Sequence, residues 1–171
     1  CETSRSFFAQ MNYAVEALQD DDVRAAIASA IDKENFTSVL MDGNGTAAVG
    51  PFPASFTFGD DTVTAESYDP AKAKELLKKA GWTDTDGDGY VDKNGKKLTI
   101  RWLTYPSRQE LPPLAESVQA TMKDVGIDIQ VNCTANHQDY LDKGDWDIFA
   151  GAFVSAPTGD PEYFFTTHCL D

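Results

Sequence analysis

Between Leu98 and Val131 the hydrophobic period changes twice. Leu98, Ile100 and Trp102 alternate as in a strand, then Leu114, Val118, Met122 and Val125 recur at helical spacing behind Pro112-Pro113. Gly126 stops that helix, and Ile127, Ile129 and Val131 alternate again. A strand, a helix and a strand joined by so short a final turn form a βαβ unit, so the two strands must run parallel. This places the chain in the α/β class, with helices covering a small mixed sheet.

The flanking segments supply the remaining elements. Residues 5–12 read as a strand ending at Asn12, and Asp20, Asp21 and Asp22 supply an N-cap and acidic first turn for a helix through about Ile31. Val23, Ile27 and Ile31 give that helix one buried stripe, and a second short helix from Lys33 to about Met41 continues it with Phe36, Val39 and Leu40. Glycines and prolines then punctuate 42–60, a long irregular segment anchored by Phe52, Phe56 and Phe58. Asp69-Pro70 opens a new helix as N-cap and N1, with Leu76 and Leu77 inside and Gly81 as the stop. A short helix at about Asp139–Lys143 precedes a third strand over Trp146–Ala150.

Composition decides among partners. The 171 residues carry 28 Asp plus Glu against 14 Lys plus Arg, a net charge of −14. That field repels phosphate backbones and anionic lipid heads, so nucleic-acid binding and polybasic membrane docking are not expected. No apolar run approaches the ~18 residues of a bilayer span, and the expectation is a monomeric globular domain.

The cysteines and the start of the chain bear on compartment. The chain opens Cys1-Glu2-Thr3-Ser4-Arg5 and moves directly into Phe7-Phe8-Ala9, a start that does not read as a signal peptide. Cys1 reads either as the acylated residue of a mature lipoprotein or as the first residue of a piece of a longer chain, and the missing polar spacer favours the second. Termini often lie close together in compact domains, so a Cys1–Cys169 disulfide is expected, leaving Cys133 as a lone, partly buried thiol. No Cys/His spacing suggests zinc, and no cysteine sits in a catalytic context.

Asp84-Thr85-Asp86-Gly87-Asp88-Gly89-Tyr90-Val91-Asp92 places oxygens at positions 1, 3, 5 and 9 of an EF-hand-like loop, with Gly at 6. Position 12, the bidentate Glu of that pattern, is Gly95, and a strand rather than a helix follows. Two readings stay open. One is a structural calcium held by Asp84, Asp86, Asp88, the Tyr90 carbonyl and Asp92; the other is an acidic surface turn without an ion.

Enzymatic apparatus is sparse. Only His137 and His168 could serve a nucleophile, and neither lies in a nucleophile-like context; no Gly-rich phosphate loop is present. His137 reads as an exposed or capping residue. The segment Phe153–Phe164 follows the carboxyl end of a strand, where open α/β sheets place their ligands. Asp160-Pro161 sets an N-cap and N1 for a short helix there, and His168 beside Cys169 lies close enough to be a ligand contact.

Taken in order, Asp22-Val23-Arg24-Ala25-Ala26-Ile27 with Ala30-Ile31-Asp32, Tyr68-Asp69-Pro70-Ala71-Lys72-Ala73-Lys74-Glu75-Leu76-Leu77, Ala80-Gly81-Trp82-Thr83 with the aspartate loop, Val125-Gly126-Ile127 and Asp160-Pro161 carry a resemblance across nearly the whole chain. The sequence resembles family 5 of the extracellular solute-binding proteins, the peptide- and nickel-binding components of ABC importers. The resemblance implies a periplasmic-binding-protein-like lobe, with residues 1–171 forming a single lobe, the later of two that close on a solute. It implies extracytoplasmic placement, a lipid-anchored parent, and an ABC permease and the other lobe as partners. Phe153, Ser155, Pro157, Thr158, Asp160 and His168 form the ligand-binding set on this reading. In the peptide binders an Asp early in the segment pairs with the peptide's amine, and Pro157 stands there in this sequence. Ala156-Pro157 ahead of Asp160-Pro161 looks more like the nickel branch, whose Ala-Pro-aromatic-Asp-Pro segment is altered here to Thr158-Gly159. Nickel-chelate and oligopeptide therefore both stay open as solutes. A stand-alone calcium module and, last, a small α/β hydrolase using Ser155 and His168 are the alternatives from other classes.

Overall fold

The computed structural model describes residues 5–53, 56–59, 64–157 and 159–169. Six strands and six α-helices follow in chain order: β1 (Arg5–Met11), α1 (Asp21–Ser29), α2 (Lys33–Asn35), α3 (Pro70–Lys79), β2 (Asp92–Lys93), β3 (Lys96–Lys97), β4 (Thr99–Thr104), α4 (Leu111–Asp124), β5 (Asp128–Cys133), α5 (His137–Lys143), β6 (Ile148–Val154) and α6 (Glu162–His168). A 3₁₀ turn, Glu16–Gln19, precedes α1, and a π-helical stretch, Phe36–Leu40, continues α2. Local chemistry fixes the helix starts. The Asp20 carboxylate accepts the Asp22 amide at 2.9 Å, and the Asp69 carboxylate accepts the Lys72 amide at 2.9 Å with Pro70 at N1.

The main sheet has the order β1-β6-β4-β5. β4 and β5 pair in parallel from Thr99↔Asp128 to Thr104↔Cys133, as the βαβ pattern requires. β6 lies on the other side of β4, parallel to it through only Trp102↔Ile148 and Leu103↔Phe149. β1 closes the far side antiparallel to β6, from Arg5↔Val154 to Met11↔Ile148, and makes the sheet mixed. The chain therefore leaves β4 toward β5 and returns across β4 to β6. The carboxyl ends of β4 and β6 form the switch point at which such sheets open to ligands.

One sheet face carries Ile100, Trp102, Ile129, Ile148 and Ala150, which join Val23, Ala26 and Ile27 of α1, Ala73 and Leu77 of α3, and Ala115, Val118 and Met122 of α4 in one buried cluster. The opposite face carries Phe8, Gln10, Arg101, Leu103, Phe149, Gly151 and Phe153. Groups on α5 and α6 cover part of it, through His137, Phe164 and His168.

Several boundaries depart from the sequence reading. α1 ends at Ser29 with Ala30 as its cap, and α5 begins at His137 rather than near Asp139. The third strand runs Ile148–Val154, not Trp146–Ala150; ahead of it the Asp147 amide donates to the Arg101 carbonyl at 3.1 Å, its carbonyl accepts from the Asn12 amide at 2.8 Å, its carboxylate binds Arg101, and the Asn12 side chain donates to the Trp146 carbonyl at 2.9 Å. Residues 92–97 form a hairpin, β2–β3, that the aspartate-loop reading left out; Asn94 and Gly95 adopt φ of 54° and 73°, the left-handed pair a two-residue hairpin demands. Cys133 is exposed at the end of edge strand β5, not partly buried. Cys169 is a free thiol and Cys1 lies outside the described residues, as does the expected disulfide with it.

Candidate functional site

The site begins where β4 and β6 part. Beyond Leu103↔Phe149 the ladder between them stops, and side chains bridge the gap: the Thr104 hydroxyl donates to the Ala150 carbonyl at 2.9 Å, and the Ala152 amide donates to the Tyr105 hydroxyl at 3.1 Å. The Tyr105 ring then stacks on His137, centroids 4.4 Å apart at 26°, and His137 stacks in turn over Phe149 at 5.8 Å and 10°. His137 is thus part of an aromatic pile over the strand ends, correcting its reading as an exposed or capping residue. Its Nδ1 is buried with no hydrogen-bond partner.

A second aromatic group adjoins the first along β6. Phe153 stacks on Phe8 of β1 at 4.4 Å and 22°, and meets His168 edge-on at 4.6 Å. Phe164 touches Phe8 at 5.7 Å and Phe52 at 5.4 Å, which ties α6 and the 50–53 segment to the same face. Gln10 Nε2 lies 3.4 Å from His168 Nδ1. Burial among these rings pushes the His168 imidazole below its ordinary value and favours the neutral ring.

The ligand-binding residues read from the sequence divide three ways. Phe153 and His168 come together, but Phe153 belongs to β6 and not to the following loop, and both rings serve to seat α6. Ser155 is fully buried at the turn out of β6, so its hydroxyl is closed to an incoming substrate, which counts against the hydrolase reading. Pro157 and Asp160 are exposed at the rim, and Thr158 lies outside the described residues. The Asp160 carboxylate accepts the Glu162 amide at 2.9 Å, but the helix starts at Glu162, one residue later than an N-cap at Asp160 would give. Tyr105, His137, Phe149 and Phe8 were missed. Their signal was the run Ile148-Phe149-Ala150-Gly151-Ala152-Phe153-Val154, apolar on both faces and hence a strand covered on both sides.

A separate cavity of about 250 Å³ opens beside α5, lined by Arg101, Leu103, Gln130, Val131, Asn132, Tyr140, Asp145 and Trp146. Arg101 is held there by Asp147, which accepts from the Arg101 amide at 2.8 Å, Nε at 3.0 Å and Nη2 at 2.6 Å, while Asp145 binds Nη1. Asp147 is only 5% exposed, and the pair raises the Arg101 guanidinium further above its ordinary value.

In the aspartate loop, carboxylate oxygens of Asp84, Asp86 and Asp88 lie within 4.8 Å of one another, all exposed. They are engaged by the chain itself: Asp84 accepts from Gly87 and Gly89, Asp86 from Asp88, and Asp88 from Tyr90. Lys97 pairs with Asp88 at 2.5 Å, lies over the Tyr90 ring and holds the Asp88 carboxyl below its ordinary value. Asp92 turns to Thr85, accepting from its amide at 2.9 Å and its hydroxyl at 2.8 Å.

An α/β unit with one face packed by helices and an aromatic face at the switch point is the build of a ligand-gripping module. The chain belongs to the bacterial extracellular solute-binding proteins, family 5; the match, to the part described as "family 5 Middle", covers residues 2–170. It is 37% identical over 117 residues to the oligopeptide-binding protein AppA of Bacillus subtilis, covering 67% of this chain and 22% of that protein. It is 32% identical over 109 residues to the nickel-binding periplasmic protein of Escherichia coli, covering 64% of this chain and 21% of that one. The chain thus spans about a fifth of the length of these curated relatives. Among solved structures, a nickel ABC transporter protein from Bacillus halodurans superposes with a TM-score of 0.86 at 28% identity, over 100% of this chain and 36% of that one. NikA of Staphylococcus aureus, solved with Ni(L-His)2, gives 0.82 at 26% identity, over 95% of this chain and 33% of that one. These matches do not support a stand-alone calcium module.

Proposed function

We propose that this chain is one lobe of the substrate-binding component of an ABC importer, gripping an oligopeptide or a chelated metal without transforming it. The observation that carries this reading is the parting of β4 and β6 at the switch point, where Tyr105, His137 and Phe149 stack at the strand ends and Phe153 adjoins them. Aromatic rings there supply stacking and apolar area, and the exposed rim at Pro157 and Asp160 supplies polar contact. The other lobe of the parent closes over this surface, desolvates the solute and presents the closed form to the permease outside the cytoplasmic membrane. The relatives support both solute classes, one an oligopeptide binder and three named for nickel or solved with it. No helix among the described residues is long and apolar enough to cross a membrane.

The test is native mass spectrometry of the full-length parent purified from its host, followed by titration of the emptied protein with peptides and with nickel–histidine. The expected result is a co-purifying peptide or chelate, bound at micromolar affinity or tighter, with Tyr105→Ala weakening it about tenfold, roughly 1.4 kcal/mol. A parent that carries and binds neither class contradicts the proposal.

A further inference from the structure

Gly151 lies at the centre of the aromatic face, paired across the ladder with Phe8 and two residues before Phe153. A Cβ built on it would meet Cε2 and Cζ of Phe153 at 2.8 Å, closer than real contacts allow, and Cε1 of Phe149 at 3.4 Å. The Phe153 ring therefore folds back over the strand into the space a side chain at 151 would fill, which is how it reaches Phe8 at 4.4 Å. Upon that ring rest His168, edge-on at 4.6 Å, and through it α6; Phe164 of the same helix bears on Phe8. Between Phe153 and α6 the chain holds Ser155 and Ala156, both buried, and Pro157 and Asp160, both exposed.

We propose that Gly151 is a positioning residue: by lacking a side chain it seats the Phe153 ring, the ring seats α6, and the seated helix positions Ser155, Ala156 and Gly159 ahead of it. The inference rests on the proposed solute-gripping role only where affinity is the readout. Its backbone is ordinary for a strand, so alanine is tolerated conformationally and the effect arises from the ring alone.

The experiment is a double-mutant cycle of Gly151→Ala and Phe153→Ala. In the full chain, NMR reads the Phe8–Phe153 ring contact, the amide shifts of Ser155, Ala156 and Gly159, and the titration of His168. Gly151→Ala is expected to abolish the ring contact, move those amides and raise the His168 midpoint toward its ordinary value as the imidazole loses cover. In the Phe153→Ala background the same change at 151 should move neither the amides nor His168. In the full-length parent, solute affinity should fall about tenfold in Gly151→Ala and no further when it is added to Phe153→Ala. Unmoved rings and amides, or equal effects of Gly151→Ala in both backgrounds, overturn the inference. A parent that binds peptide or chelate with unchanged affinity while the rings move overturns it too. A parent that binds no solute contradicts the proposed function, and the ring and amide measurements on this chain still decide the seat.

Discussion

Asp147 shows how much a single side chain can organise. Nearly buried between β4 and β6, it accepts three hydrogen bonds from Arg101, one of them from the backbone. Removing it strands a part-buried amide and releases a guanidinium that lines the neighbouring cavity. Asp147→Ala should therefore cost about 1–3 kcal/mol in denaturant unfolding, and Asp147→Asn less, because the amide oxygen can still accept from the Arg101 backbone. His168 gives a pH signature. Its folded value lies below the ordinary 6.5, so the unfolded chain binds more protons as pH falls. The stability it contributes is complete above about pH 6.5 and is lost as pH falls through the lowered folded value. The difference in melting temperature between wild type and His168→Gln, followed from pH 7.5 to 5, should shrink on acidification. The effects of Glu66 and Asp88, both carboxyls held low by lysine partners, enter only at more acid pH. Neither the Arg101–Asp147 nor the Gln10–His168 contact was legible in the sequence, since the first pair is 46 residues apart and the second 158.

Elements were more legible than contacts, because their signals are local. Asp20, Asp69-Pro70 and Gly126 marked helix ends whose chemistry is complete within a few residues, and the two period changes between Leu98 and Val131 gave the parallel pair. The hairpin β2–β3 was equally local, signalled by Asn94-Gly95, but reading those residues as the end of an ion-binding loop concealed it. The partnership of β1 with β6 spans almost the whole chain, and no local pattern announces it. Two substitutions test the local logic. Asp69→Ala removes the cap of α3 and should cost about 1 kcal/mol of stability. Gly126→Ala should cost about 1–3 kcal/mol, since φ is +89° and the new Cβ would meet Val91 Cγ1 at 3.0 Å and its amide nitrogen at 3.3 Å. That site also joins two elements, for the Val91 amide donates to the Gly126 carbonyl at 2.7 Å. Loss of protection at the Val91 amide in hydrogen exchange would accompany the Gly126 change.

At the scale of the molecule, the two sheet faces differ in how they are finished. One is buried under α1, α3 and α4 with a continuous apolar core; the other holds a line of rings only partly roofed by α5 and α6. Tyr163 and Phe165 of α6 remain 45% and 48% exposed beside that line. On the function proposed above, a surface so built would supply half of the contacts a solute needs, and closure against a second lobe would supply the rest. The most direct measurement is calorimetric titration of the 171-residue chain and of its full-length parent with the same co-purified solute. The account predicts micromolar or tighter binding by the parent and binding at least a hundredfold weaker by the chain alone, about 2.7 kcal/mol of lost grip. Equal affinity in the two would contradict it.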